Sequence, residues 1–343
     1  MMRGSFGAER SGAALRILFA GSPAIAVPSL WALSALELEG RGVTLAGVLT
    51  NPDRPHRHGR NEPTDISAAV MELDAVRKGR GFPPVPQLKP EKLDAQARRE
   101  AAALGADLLV SFAYGRFFGP RFLELFPLGG INIHPSLLPK YRGASPIPAV
   151  ILAGEKETGI CIQELAAELD SGGIFAEDRF PLSGCETCAS LSETVSRRAA
   201  LLFRGLLLSF DPAAARPQEG EAVYCGEMKK EAGLVNWSKS AAAIDAQIRA
   251  YTPWPLSFTH LGKETLYILE ARPLSQPALA DFSLPRTEPG TVLGADNEQG
   301  ILIQTGDGVL AVTRIQWQAK KALDWKAFCN GARGFMGARL GEQ

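Results

Sequence analysis

The chain has 343 residues, 45% of them hydrophobic and 22% charged, a composition that suits a globular protein of two domains with sizeable cores. Its 37 basic and 37 acidic side chains balance, which excludes a global field that attracts nucleic acid; an RNA partner would need a local patch. No segment approaches about 20 consecutive apolar residues, so no membrane-spanning helix is expected.

After a polar leader, Leu15–Ala20 reads as the first strand of a parallel sheet, Gly21-Ser22-Pro23 as a turn, and Pro28 as the first turn of a helix running to about Glu39. The turn lacks the G-x-G-x-x-G fingerprint, so nothing here supports a nucleotide cofactor. Gly42–Thr50 is a second strand, almost continuously apolar as buried parallel strands are. Asn51–Asp65 is a long loop with three prolines, three arginines and two histidines, either a solvated excursion or a basic lid able to touch phosphates. Pro83–Gln87 suits a short edge strand, Glu91–Leu104 a helix, Asp107–Phe112 a strand and Pro120–Phe126 a short helix.

Ile131–Gly143, I-N-I-H-P-S-L-L-P-K-Y-R-G, is the stretch the rest of the chain serves. Ile131 and Ile133 point one way and Asn132 and His134 the other, with the period of two of a pleated strand. Pro135 ends the ladder because it has no N–H to donate. An amide and an imidazole are thereby placed at the carboxyl edge of a sheet, where open α/β sheets bind ligands. The apolar loop that follows suits the wall of a pocket for a flat, partly apolar ligand.

Beyond it come a helix at Ser145–Leu152, strands at Gly159–Leu165 and Ile174–Phe180, a turn at Leu169–Gly173, and a helix at Cys188–Leu208 with a strong apolar stripe. Strands alternating with helices predict a doubly wound, mostly parallel α/β domain over 14–210. Composition shifts to Pro, Ala, Gly and Glu in a linker over 211–222. Residues 223–343 then offer a helix at Ser240–Tyr251 and five short strands, Ser257–His260, Thr265–Ala271, Gly290–Ala295, Gly300–Gln304 and Gly308–Gln316, which predict a small β-barrel. Five widely spaced cysteines and the absence of a signal-like apolar run in Met1–Ala13 predict a protein of the reducing cytoplasm, and no residue spacing predicts a metal site.

Asn132, His134 and Asp170 are the polar groups to place together. An imidazole near neutral pKa is the usual general base, and a carboxylate beside it orients it and raises its basicity. A side-chain amide aimed at a carbonyl oxygen can stabilise an oxyanion. Taken alone, a strand-end histidine such as His134 is more often structural, and an aspartate before Ser-Gly-Gly, as Asp170 is, more often a turn former. With no G-x-S-x-G elbow and no cysteine in the stretch, the residues reach an acyl-transfer-like site that has no nucleophile of its own.

N-I-H-P-S-L-L-P-K-Y-R-G followed by L-D-S-G resembles the signature of the 10-formyltetrahydrofolate-dependent formyltransferases. Gly21-Ser22-Pro23 with Ala26–Leu30, Asn51–Pro55 and Ala113–Gly115 resemble that family's G-T-P-x-F-A-V-P-S-L, Q-P-D-R-P and A-Y-G. Asn236-Trp237-Ser238, Arg249–Pro255, Pro289–Val292 and Gly306–Gly308 echo I-D-W-S, R-A-x-N-P-W-P, P-G-T-V and G-D-G, and narrow the likeness to the branch that acts on methionyl initiator tRNA. The resemblance implies a Rossmann-like formyltransferase domain followed by an OB-like barrel that cradles tRNA. It implies formyl transfer from 10-formyltetrahydrofolate to the α-amino group of methionyl initiator tRNA, by a monomer and without a metal. Asn132, His134 and Asp170 would be catalytic; Ser136, Leu137, Leu138, Pro139, Ala113, Tyr114 and Gly115 would hold the folate; Arg54, Arg57, Arg60, Lys320 and Lys321 would contact the tRNA. Ile25, Glu62, Gly173 and Asn236 depart from the family's usual residues. A formyltransferase acting on a sugar nucleotide or other small amine, and a non-catalytic RNA- or folate-binding module, are the rival readings.

Overall fold

A computed structural model describes residues 13–55, 61–274, 287–332 and 334–341. They fall into two compact units. One takes the chain up to Gly143 together with Thr158–Phe180 and Ser192–Tyr224; the other takes Ala144–Glu157, Pro181–Leu191 and the chain from Cys225 onward.

The first unit is built on a seven-stranded sheet. Its strands are β1 (Leu15–Gly21), β2 (Val43–Leu49), β3 (Gln87–Leu88), β4 (Leu108–Phe112), β5 (Gly130–His134), β6 (Glu157–Glu164) and β7 (Ile174–Pro181), in the spatial order β7-β6-β5-β4-β1-β2-β3. Pairing is parallel from β3 through β2, β1 and β4 to β5, and antiparallel between β5 and β6. The chain therefore runs outward from β1 to β3, crosses back to β4, and runs outward again to β5. That reversal leaves a crevice outside the carboxyl ends of β1 and β4. Ile17–Ala20 and Leu108–Val110 are completely buried because the central strands carry neighbours on both sides.

Helices α1 (Val27–Leu38), α2 (Asp65–Lys78), α3 (Ala95–Ala103) and α4 (Cys188–Leu207) accompany the sheet. Helix α2 was not expected from the sequence, yet its causes are local. Thr64 caps it by accepting from Ser67 N, Asp65 opens it, Arg77 and Lys78 close it, and Ile66, Ala69, Val70 and Leu73 form its buried stripe. Arg77 forms a buried ion pair with Glu37 of α1 and lies over the Phe82 ring, so the charge at the end of this helix is paired rather than solvated.

The second unit carries an antiparallel sheet of β8 (Ser257–Leu261), β9 (Glu264–Pro273), β10 (Val292–Asp296), β11 (Gly300–Gln304) and β12 (Val309–Trp317), in the order β8-β9-β12-β11-β10, with Leu323–Asp324 added to β12. Helix α5 (Ala241–Ala250) and a further helix α6 (Trp325–Gly331), also not expected from the sequence, supply Ile244, Ile248 and Phe328 to a core with Trp237, Leu266, Ile301 and Val312. The expected α/β domain is therefore present, followed by a smaller one in which the strands expected to form a barrel make one antiparallel sheet, with α5 and α6 packed on it. Asn236 closes a local turn: its Oδ1 accepts from Ser238 N at 3.0 Å and from Ser238 Oγ at 2.6 Å. No helix among the described residues is long and apolar enough to cross a membrane.

Candidate active site

Strand β5 brings Asn132 and His134 to the carboxyl edge on one face, and the turn between β6 and β7 brings Asp170 to them. His134 Nδ1 lies 3.6 Å from Asp170 Oδ1, and Asn132 Nδ2 donates to the same oxygen at 3.4 Å. Thirty-eight residues of chain separate Asn132 from Asp170, so the pairing is a product of the fold. The side chains of His134 and Asp170 are 4% and 8% exposed, which makes their mutual electrostatics far stronger than in water.

Both ring nitrogens of His134 face acceptors. Nε2 donates to the carbonyl of Tyr141 at 2.9 Å, so in the neutral ring Nδ1 carries the lone pair beside Asp170. Burial lowers the pKa of His134 from 6.5, against the Asp170 charge and the Tyr141 carbonyl, which both raise it. The resting state is a neutral imidazole whose protonated form already has two partners waiting. An imidazole so placed is able to accept a proton.

Asp170 is held on every side. Gly143 N donates to Oδ2 at 2.8 Å and Gln163 Nε2 to Oδ1 at 2.7 Å. Its backbone sits at φ 51°, as Tyr141 sits at 61° and Ala113 at 52°; three of the five non-glycine residues with positive φ among those described thus border this edge. Strained backbone persists where the surroundings over-determine it, and such sites are enriched in function. Gly172 makes the turn possible: a Cβ there would stand 1.9 Å from the Glu164 carbonyl oxygen.

The loop after β5 is internally tied. Ser136 Oγ donates to Lys140 O at 2.6 Å, Leu138 N donates to Cys161 Sγ at 3.4 Å, and the Leu138–Pro139 bond is cis. Ser136, Leu138 and Pro139 are buried, while Leu137 stays partly open. Burial pushes the Cys161 thiol up to about 12, which leaves it a poor nucleophile. Tyr114 is 1% exposed and stacks on Phe118 at 5.3 Å in the core; Ala113 and Gly115 on either side of it are exposed. What Tyr114 offers the edge is backbone: its carbonyl accepts from Asn51 Nδ2 at 3.0 Å. Ser22 Oγ accepts from the same amide group at 2.9 Å and from Asn51 N at 3.1 Å, joining the ends of β1, β2 and β4. An exposed backbone strip, an apolar loop and an amide-hydroxyl cluster suit a flat, partly apolar ligand with polar edges.

Of the residues expected to meet RNA, Arg54 is exposed in a two-residue ladder with Asn61–Glu62, while Arg57 and Arg60 lie outside the described residues. In the other unit Lys320 and Lys321 are exposed after β12, where Gln316 Nε2 donates to Lys320 O at 2.6 Å. Among the described residues no group of three or more His, Cys, Asp and Glu could hold a metal ion. Sequence reasoning missed Gln163, Gly143, Tyr141 and Gln218. The alternation of β6 puts Gln163 opposite Asn132, a pairing that only the antiparallel register reveals.

Comparison with known proteins bears on this arrangement. A family model described as "Formyl transferase" matches residues 15–203, and one described as "Formyl transferase, C-terminal domain" matches residues 227–333. The chain is 48% identical over 326 residues to a methionyl-tRNA formyltransferase of Treponema denticola, covering 94% of this chain and 98% of that one. It is 40% identical to that of Treponema pallidum (strain Nichols), covering 95% and 99%. The fold is shared with an N-formyltransferase from Helicobacter canadensis solved with folinic acid and dTDP-3-aminofucose (TM-score 0.58, 19% identity, 87% of this chain and 98% of that chain). It is shared also with HypX from Aquifex aeolicus in complex with tetrahydrofolic acid (TM-score 0.55, 19% identity, 92% and 47%).

Proposed function

The chain belongs to the formyl transferase family, among the methionyl-tRNA formyltransferases, and from that premise we propose how its own residues divide the work. It transfers the formyl group of 10-formyltetrahydrofolate to methionyl-tRNA. In our reading the α-amino nitrogen of methionine attacks the formyl carbon, and the bond from that carbon to the folate nitrogen breaks. His134 Nδ1 takes the amine proton and returns it to the departing nitrogen. The imidazolium is stabilised by Asp170 on one side and the Tyr141 carbonyl on the other. Asn132 donates to the formyl oxygen as negative charge builds there; its bond to Asp170 is long enough at 3.4 Å for the amide to re-aim. Leu137, Ala113 and Gly115 line the folate, with Ser136, Leu138, Pro139 and Tyr114 as the buried frame behind them.

The observation that carries this reading is the convergence of Asn132 and His134 on one carboxylate oxygen at the carboxyl end of β5. The amine nucleophile comes with the substrate, which suits a site without a nucleophile of its own. Positioning the two substrates supplies much of the rate, since effective molarities of well-oriented groups reach ~10⁵ M or more.

The assay is formyl transfer to methionyl initiator tRNA. His134→Ala and Asp170→Asn should each lose at least ~100-fold in kcat, the usual scale for general-base groups. Retention of the parent rate in either variant would remove that residue from the mechanism. The sugar-nucleotide reading is the weaker one beside the curated relatives; it would gain only if a small amine were formylated and tRNA were not.

The assignment of 14–210 to catalysis and 223–343 to tRNA binding, joined by 211–222, is part of the same proposal, and the separate family matches to 15–203 and 227–333 support it. Arg54, Arg57 and Arg60 would contact the acceptor end, and Lys320 and Lys321 the stem. Work as a monomer in the cytoplasm completes the reading; a dimer mass by sedimentation at micromolar concentration would count against the first. The exposed Cys185 thiol suits a reducing compartment.

A further inference from the structure

The segment after α4, a linker by composition, carries a side chain tied directly into the candidate active site. Gln218 Nε2 donates to the carbonyls of Asp170 and Gly172, both at 2.8 Å, and to Gln163 Oε1 at 3.2 Å. Gln218 Oε1 accepts from Arg142 Nη2 at 2.7 Å and Nε at 3.2 Å. Gln163 Nε2 in turn donates to Asp170 Oδ1 at 2.7 Å.

We propose that Gln218 and Gln163 are positioning residues for formyl transfer: a chain of two side-chain amides, anchored on the Arg142 guanidinium, that aims and electrostatically loads Asp170. The inference rests on the reading of Asp170 as part of the catalytic set.

The direction of the amides decides the point. Each presents its oxygen toward Arg142 and its N–H toward Asp170, so the dipoles align from a full positive charge to a full negative one, and aligned hydrogen bonds polarise one another. Flipping Gln218 would set its oxygen against two carbonyls and its N–H groups against the Arg142 guanidinium, and flipping Gln163 would set its oxygen against Asp170 Oδ1, so the network itself assigns the orientation. Arg142 reaches Asp170 a second way, since the N–H of the next residue, Gly143, sits on Oδ2. A turn with φ 51° at Asp170 needs such over-determination, and Gln218 holds the carbonyls on both sides of that turn. Glutamate would put oxygen against two carbonyls, and lysine would leave Arg142 without its acceptor.

The test compares parent, Gln218→Met, Arg142→Met and Asp170→Asn in the full-length protein, with thermal unfolding to confirm that each is folded. Gln218→Met keeps the side-chain length and removes every donated bond. It should lower kcat ~10- to ~100-fold, the scale of displacing a reacting group by about 1 Å, with KM for both substrates little changed. The acid limb of the kcat/KM profile should also move to lower pH, because an Asp170 that drifts from His134 no longer favours the imidazolium. The other groups facing His134 are the Tyr141 carbonyl and, across the strand pair, Cys161, with Glu177 Oε2 3.9 Å beyond its sulfur. None of them is displaced by the substitution. Simple destabilisation would lower the folded fraction without moving the limb. Arg142→Met should shift kcat and limb in the same direction by a smaller factor, and it carries the test if Gln218→Met does not fold. A folded variant with the parent's kcat and limb overturns the inference. Should Asp170→Asn itself run at the parent rate, the reading of the catalytic set fails first, and that outcome is distinct.

Discussion

With Nε2–H committed to the Tyr141 carbonyl, the reactivity of His134 is concentrated on Nδ1, and two opposing influences fix its basicity. Burial disfavours the cation and is the larger; Asp170 and the carbonyl favour it. The folded pKa therefore lies below 6.5, so the base is unprotonated at neutral pH and is lost only as pH falls through that lowered value. We expect kcat/KM for formyl transfer to be flat from about pH 7 downward until the limb, which lies below 6.5. Asp170→Asn removes an influence that raises the pKa, so its limb should lie lower still while its rate drops; a limb above about pH 7 in the parent would contradict this account. The same sign governs stability: the unfolded chain binds the His134 proton more readily, so this residue's contribution is complete above 6.5 and declines as pH falls through the folded pKa. Asn132, His134 and Asp170 were readable as chemistry from their residue types, but neither the shared carboxylate oxygen nor the assignment of Nδ1 was.

Among the elements, the turn between β6 and β7 and the loop after β5 place the groups that matter, and both depend on close backbone approach. Gly172→Ala would drive a Cβ into the Glu164 carbonyl at 1.9 Å, so the turn carrying Asp170 must shift. Expected is a ~100-fold fall in kcat, in keeping with a ~1 Å misplacement, read in the same formylation assay. At Gly159 a Cβ would meet Leu137 Cδ2 at 2.3 Å and Asp178 O at 2.4 Å, which presses on the loop proposed to line the folate. Gly159→Ala should therefore raise KM for 10-formyltetrahydrofolate more than it lowers kcat, and an unchanged KM would detach that loop from folate binding. Helix α2 is a case of legible local signals passed over. Thr64, Asp65 and the apolar spacing of Ile66, Val70 and Leu73 encode it, but the preceding proline- and arginine-rich loop dominates the reading of that region. Thr64→Ala should cost about 1 kcal/mol of unfolding free energy, the usual worth of an N-cap, measured by denaturant titration.

On the scale of the whole molecule, zero net charge means that binding of a polyanion must come from local cations, which salt screens progressively. Replacing Lys320 and Lys321 together by Ala should raise KM for methionyl-tRNA, leave kcat near the parent value, and reduce the salt slope of binding by about 2, one for each phosphate that a lysine no longer neutralises. An unchanged slope would show these lysines to be merely solvated. Strand order, helix order and the succession of an α/β domain and a small β domain were written in the sequence by periodicity, by prolines that end ladders and by glycine-rich turns, all of which act over a few residues. The residue types proposed for catalysis and the family were legible for the same reason: they sit in short contiguous motifs. What only the tertiary structure decided is which distant groups meet. The antiparallel register of β6 against β5 set Gln163 across from Asn132, the positive-φ turn delivered Asp170, and the compositional linker laid Gln218 on that turn's carbonyls. A sequence pattern reports the conformational preference of each segment. Contacts between residues 38 or 48 positions apart, Asn132 and Gln218 each with Asp170, arise from packing free energy shared over the whole unit, which no segment carries alone.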